Sequence, residues 1–99
     1  MLRKTKIIAT LGPATDSPEI QRDLIAAGAT VFRINMSHAP HEVVRRHVRQ
    51  IREIAAATGT GPAILMDLQG PAIRTGEVPA TITLKTGDEV ELRQPGTAA

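Results

Sequence analysis

The residues best suited to chemistry lie in one short stretch. Thr30-Val31-Phe32-Arg33-Ile34-Asn35-Met36-Ser37 alternates apolar and polar side chains. On a strand of period two, Phe32, Ile34 and Met36 take one face and Arg33, Asn35 and Ser37 the other. A guanidinium, an amide and a hydroxyl in a row carry a desolvation penalty unless something partners them. Two kinds of partner suit Arg33. One is a structural carboxylate. The other is a bound anion, because the guanidinium fork matches carboxylate or phosphate and α/β folds hold ligands at the C-terminal ends of their strands. Asp67 closes a second apolar run, Pro62-Ala63-Ile64-Leu65-Met66. Where parallel strands share a rim, Asp67, Asn35 and Ser37 gather as hard oxygen donors, a set suited to an alkali or alkaline-earth cation. A plain capping role for Asp67 in the following turn accounts for the same spacing. Arg74, in a Gly-flanked loop, offers a second cation for phosphate. His38 and His41 are read as capping or surface residues, since the spacing identifies no further donors for a metal. Neither the Gly-x-Gly-x-x-Gly nor the Gly-x-x-x-x-Gly-Lys-Ser/Thr phosphate motif occurs.

These residues need strands and helices to position them. Lys4 to Thr10 is a short run stopped by Leu11-Gly12-Pro13 and reads as a buried strand. Ser17 then suits a helix N-cap, Pro18 the first helical position and Glu19 the positive end of the dipole. Ile20, Leu24 and Ala27 form the apolar stripe of that helix, and Gly28 ends it. A second helix is predicted from about Pro40 to Thr58, with Val44, Val48, Ile51 and Ala55 inward and Gly59 as its stop. The order β-α-β-α-β implies parallel strands in an α/β fold. After Gly70-Pro71 the pattern changes. Thr81 to Lys85 and Glu89 to Arg93 alternate apolar with polar around Thr86-Gly87-Asp88, an antiparallel hairpin signal. A boundary near Gly76–Pro79 divides an α/β part, residues 1–76, from the start of a β-rich module, residues 77–99. The last strand has no partner beyond it, so a truncated domain is the expectation.

Composition narrows the function classes. The 99 residues carry a net charge of +2, no cysteine and a single aromatic ring, Phe32. Disulfide scaffolds, Cys-ligated zinc and thiol nucleophiles are therefore excluded. A chain of this size hides roughly 65% of its unfolded surface, and much of its apolar content is alanine, so marginal stability is expected. No run approaches the ~18 apolar residues of a membrane helix. The basic start, Met1-Leu2-Arg3-Lys4, is followed by too short an apolar run for a signal peptide. A cytoplasmic protein without membrane contact is the simplest reading. Arg45, Arg46, Arg49 and Arg52 form a basic stripe, read as a solvated helix face rather than a nucleic-acid surface.

Three motifs carry a resemblance to a known family. Lys4-Thr5-Lys6-Ile7-Ile8-Ala9-Thr10-Leu11-Gly12-Pro13-Ala14-Thr15, then Phe32-Arg33-Ile34-Asn35-Met36-Ser37-His38, then Asp67-Leu68-Gln69-Gly70-Pro71-Ala72-Ile73-Arg74-Thr75-Gly76 closely resemble the N-terminal segment of pyruvate kinase. The likeness runs to about Arg93. It implies a partial (β/α)8 TIM barrel, its first three strands followed by the first strands of an inserted β-rich lid. It also implies phosphoryl transfer from phosphoenolpyruvate to ADP, giving pyruvate and ATP, with Mg2+ or Mn2+ and usually K+. By this resemblance Arg33 binds substrate phosphate, and Asn35, Ser37, Asp67 and the Leu68 carbonyl hold K+. Asn35, Met36, Ser37, His38 and Arg74 are nucleotide contacts. The family's catalytic lysine and its Glu and Asp divalent-metal ligands fall beyond Ala99. The chain is therefore expected to be inactive alone and to self-associate or pair with a complementing barrel fragment. The alternative is a non-catalytic truncated paralogue that binds phosphorylated ligands or partner proteins. Two positions depart from the pattern. Ala39 replaces the usual glycine after the Ser-His pair, and Ala72 stands where the family carries an acidic residue or lysine.

Overall fold

The computed structural model describes residues 3–96. Three strands, β1 (Ile8–Thr10), β2 (Val31–Asn35) and β3 (Ala63–Asp67), alternate with two helices, α1 (Pro18–Ala27) and α2 (His41–Thr58). The sheet order is β1-β2-β3 and both pairings are parallel. A short 3-10 turn, Pro13–Thr15, lies between β1 and α1.

Local chemistry sets the helix ends as the sequence predicts. Ser17 is extended and its hydroxyl accepts from the Ile20 amide at 3.3 Å, with Pro18 as the first helical residue. Gly28 closes α1 at φ 113°, a left-handed conformation that side-chain-bearing residues adopt at a cost. Gly59 closes α2 at φ 67°.

The inward faces differ from the predicted stripes. In α1, Ile20 is exposed and Gln21 is fully buried. In α2, Val44 and Ile51 are buried as predicted, and His47 and Ile54 join them. The core consists of Leu11, Ala29, Phe32, Ile34, Val44 and Ile51, with Ala9, Leu24, Ile25, Met36, Ala39, Val48 and Ile64 packed around it.

The parallel register sorts the sheet into two faces. Phe32, level with Ala9 and Ile64, points into the core with Ile34. The alternate residues share the opposite, helix-free face: Thr10, Arg33 and Leu65 in one row, Asn35 and Asp67 in the next. β1 and β3 were expected to be buried runs. They are instead largely exposed, with Ile8 at 57% and Leu65 at 46%, because the second face of the sheet carries no covering layer among the described residues.

Of the hairpin expected over Thr81–Arg93, only the turn is present. The turn forms, with the Asp88 amide bonded to the Lys85 carbonyl and the Lys85 amide to the Asp88 carboxylate. No strand is present on either side of it among the described residues. Ile82, Leu84, Val90 and Leu92 all stay exposed. A two-stranded ribbon gains too little by itself and needs a third strand or a packing surface. The outline of 60 × 28 × 24 Å reflects this exposed segment joined to the α/β unit.

Candidate functional site

The site begins with the diagonal between β2 and β3. Register sets Asn35 level with Asp67 and Arg33 level with Leu65, so Arg33 lies one pleat below Asp67 on the same face. The Arg33 guanidinium reaches up and donates to Oδ2 of Asp67 through Nη2 and, at 3.0 Å, through Nε. The structural carboxylate and the ligand-site carboxylate, held apart in the sequence reading, are thus one residue. Asp67 Oδ1 takes no part in this pair. Beyond the strand ends, the Met36 amide donates to the Asp67 carbonyl at 3.0 Å, which ties the two rims together.

The following turn places the remaining donors. Asn35 Oδ1 accepts from the Ser37 amide at 3.1 Å, and the Asn35 carbonyl accepts from the amides of His38 and Ala39. This side-chain-capped turn turns the chain towards α2. Ala39 is partly buried against the core, and among the described residues only glycines have a positive φ. Its β-carbon is therefore accommodated without strain. Leu68 directly follows β3 and is 74% exposed. Met36 packs its side chain on the core, leaving only its main chain at the rim. Arg74 is exposed in the segment after β3 and joins none of the site's hydrogen bonds or ion pairs.

A cleft of about 510 Å3 opens beside this rim. One wall is the end of β1 and the loop after it, including Thr10, Gly12 and Pro13; the other is the turn that carries Asn35, His38 and Ala39. Val43, Arg46 and His47 of α2 line it as well, with Asp16. His41, the first residue of α2, is exposed at the helix start, in line with a surface role.

Sequence reasoning missed three of these residues. Asp16 Oδ1 accepts from Arg46 Nη2 and from His47 Nε2, each at 2.6 Å. The His47 hydrogen bond first, and then that of Arg46, hold the Asp16 carboxyl below its ordinary value of 3.8. The signal was present but indirect: position 47 falls on the apolar stripe of α2, between Val44 and Ile51. A histidine there must find a polar partner.

Parallel strands joined by helices, with polar side chains gathered at their C-terminal ends, make a unit of the α/β-barrel type, a fold class that holds its ligands at that rim. The family profile described as "Pyruvate kinase, barrel domain" matches residues 2–97. Pyruvate kinase 2 of Synechocystis is 48% identical over 93 residues, covering 91% of this chain and 16% of that protein. Pyruvate kinase of Methylorubrum extorquens is 51% identical over 74 residues, covering 75% and 16%. A crystal structure of Cryptosporidium parvum pyruvate kinase superposes with a TM-score of 0.65 at 40% identity, covering 70% of this chain and 14% of that one. The chain belongs to the pyruvate kinase family. It spans less than a fifth of the length of the relatives it matches.

Proposed function

We propose that this chain supplies the phosphate-, potassium- and nucleotide-facing sector of a pyruvate kinase barrel, acting in phosphoryl transfer from phosphoenolpyruvate to ADP. The observation that carries this reading is the Arg33–Asp67 pair, set beside Asn35 on the helix-free face at the strand ends. A guanidinium held upright by a carboxylate presents its remaining donors to a phosphoryl group. The donor set fits potassium: Asn35 Oδ1, the Ser37 hydroxyl, the Leu68 carbonyl and the Asp67 oxygen that Arg33 leaves unused are all hard oxygens. Potassium there supplies positive charge beside the transferring group. Asn35 and His38 line the cleft, where the nucleotide is accommodated; Met36 and Ser37 lie between them in the chain, and Arg74, exposed in the segment after β3, is the further nucleotide contact of this reading. Residues 77–99 begin the lid of that barrel, and the Thr81–Arg93 strands form once a lid surface covers them.

Among the described residues no group of three His, Cys, Asp or Glu side chains is placed to hold a metal ion. These residues therefore do not fit a Mg2+ or Mn2+ centre. No helix among the described residues is long and apolar enough to cross a membrane.

The test is a chimera joining residues 1–96 to the remaining portion of the Synechocystis relative, assayed for pyruvate formation. Arg33→Ala should lower its turnover about a hundredfold or more, the usual effect of losing a positioned charge-stabilising donor. A folded Arg33→Ala chimera that keeps most of its activity would refute the role of Arg33. A folded chimera inactive both with and without that substitution would favour a non-catalytic phospholigand module.

A further inference from the structure

The loop between β1 and α1 forms one wall of the cleft, and two buried polar side chains hold it, one from each helix. Gln21 of α1 is fully buried. Its Nε2 donates to the carbonyls of Thr15 at 3.1 Å and Asp16 at 3.4 Å, and to Oε1 of Gln50 on α2 at 3.3 Å. His47 of α2 is 3% exposed and meets the Asp16 carboxylate through Nε2. An ionised carboxylate only accepts, so Nε2 carries the proton and donates. Arg46 donates to the same oxygen from the exposed side of α2.

An aliphatic residue at position 47 would complete the stripe of α2 without desolvating a polar ring. The imidazole instead leaves its Nδ1 buried with no partner among the described residues. Its gain lies in the grip on the loop. Inside that loop the Gly12 amide bonds Thr15 Oγ1 at 2.9 Å and the Thr15 amide bonds the Gly12 carbonyl at 3.0 Å, a unit that moves together. Holding Asp16 therefore fixes Gly12 and Pro13, which face Asn35 and His38 across the cleft.

We propose that His47 is a positioning residue for the nucleotide, acting through Asp16 to set the width of the cleft. This rests on the nucleotide reading of the cleft given above. His47 borders the cleft but is 3% exposed, so it acts through the wall it holds, and its effect falls on nucleotide affinity rather than on phosphate capture at Arg33.

The experiment uses the 99-residue chain, with amide hydrogen exchange read by NMR and ADP as the probe. In His47→Leu, which keeps bulk and removes the donor, the Gly12 and Thr15 amides should exchange about tenfold faster and the ADP Kd should rise about tenfold, the scale of one lost charge-assisted hydrogen bond. His47→Gln, whose amide nitrogen reaches as far as Nε2, should restore both to within about twofold. Asp16→Asn, on the exposed side of the contact, should loosen the same amides and guards against a fold defect in the leucine variant. The Met36 amide, bonded to the Asp67 carbonyl, and the affinity for inorganic phosphate should stay unchanged throughout. Unaltered loop exchange, equal ADP affinity in His47→Leu, no rescue by glutamine, or a Met36 amide accelerated as much as the loop would each overturn the proposal. Wild-type chain that shows the exchange pattern but does not bind ADP would overturn the nucleotide reading of the cleft while supporting the hold on the loop.

Discussion

Asp16 accepts two donors on a single oxygen, and its titration follows from that. Its pKa is lowered in the folded chain, first by the His47 hydrogen bond and then by Arg46. A lowered folded value means that the contact stabilises the fold above the ordinary carboxylate range and is lost as pH falls through the lowered value. The urea midpoints of wild type and Asp16→Asn should therefore differ at neutral pH and converge in acid; a gap that stays constant would contradict the assignment. Arg33 and Asp67 behave differently. Their side chains are 31% and 44% exposed, so the pair contributes on the order of 1 kcal/mol or less to stability and serves mainly to orient the guanidinium. Asp67→Asn should accordingly shift the midpoint little while weakening potassium binding, which calorimetry of the chimera would measure. Ala72 brings no charge to the exposed segment after β3, so it cannot stand in for potassium. The chimera is expected to require potassium, and Ala72→Lys to relax that requirement by supplying an ammonium. Equal activity of the unsubstituted chimera in potassium and in tetramethylammonium would count against this.

At the scale of elements, the helix ends carry stability that the core, thin and largely aliphatic, does not duplicate. Ser17→Ala should cost about 1 kcal/mol by removing the cap on the Ile20 amide. Gly28→Ala should cost about 1–2 kcal/mol, since φ 113° is strained for any residue with a β-carbon. Gly61→Ala, where nothing lies within 4 Å of an added β-carbon, should stay within about 0.5 kcal/mol. Denaturant titration of the three variants checks the ordering. Features of this local kind were the legible ones: a cap, a proline and a glycine act within a few residues, and the alternation of β2 needs only its own period. The Arg33–Asp67 pairing spans 34 residues and depends on the register of two strands, so the sequence could place both at strand ends without joining them. Gln21 and His47 escaped because an apolar stripe is read from apolar residues alone, and buried polar side chains leave gaps in it. The Thr81–Arg93 strands are absent for a related reason. Alternation at Thr81–Arg93 specifies a face to be covered, not the surface that covers it.

For the whole molecule, the uncovered face and the exposed apolar side chains of residues 71–96 set its behaviour in solution. Ile8, Leu65, Leu84 and Leu92 are all more than 40% exposed, and β1 and β3 are both open edges. The 99-residue chain should associate or bind an apolar dye; a sharp monomer with a cooperative melt and no dye binding would contradict this. It should also form no pyruvate and ATP from phosphoenolpyruvate and ADP above a no-enzyme blank, because phosphoryl transfer rests on a metal clamp that the described residues do not build. The two-faced register has a consequence for how such a chain can change. The polar residues at the end of β2, Arg33 and Asn35, alternate with Phe32 and Ile34, which point to the opposite side and hold the core. The sheet is therefore a partition between two kinds of inheritance. Along β2, substitutions of Arg33 or Asn35 change the polar face with little effect on the core, and substitutions of Phe32 or Ile34 change the packing. A lineage can therefore alter its polar face and keep its core, or repack its core and keep its polar face, by mutating residues that alternate along the same five-residue strand.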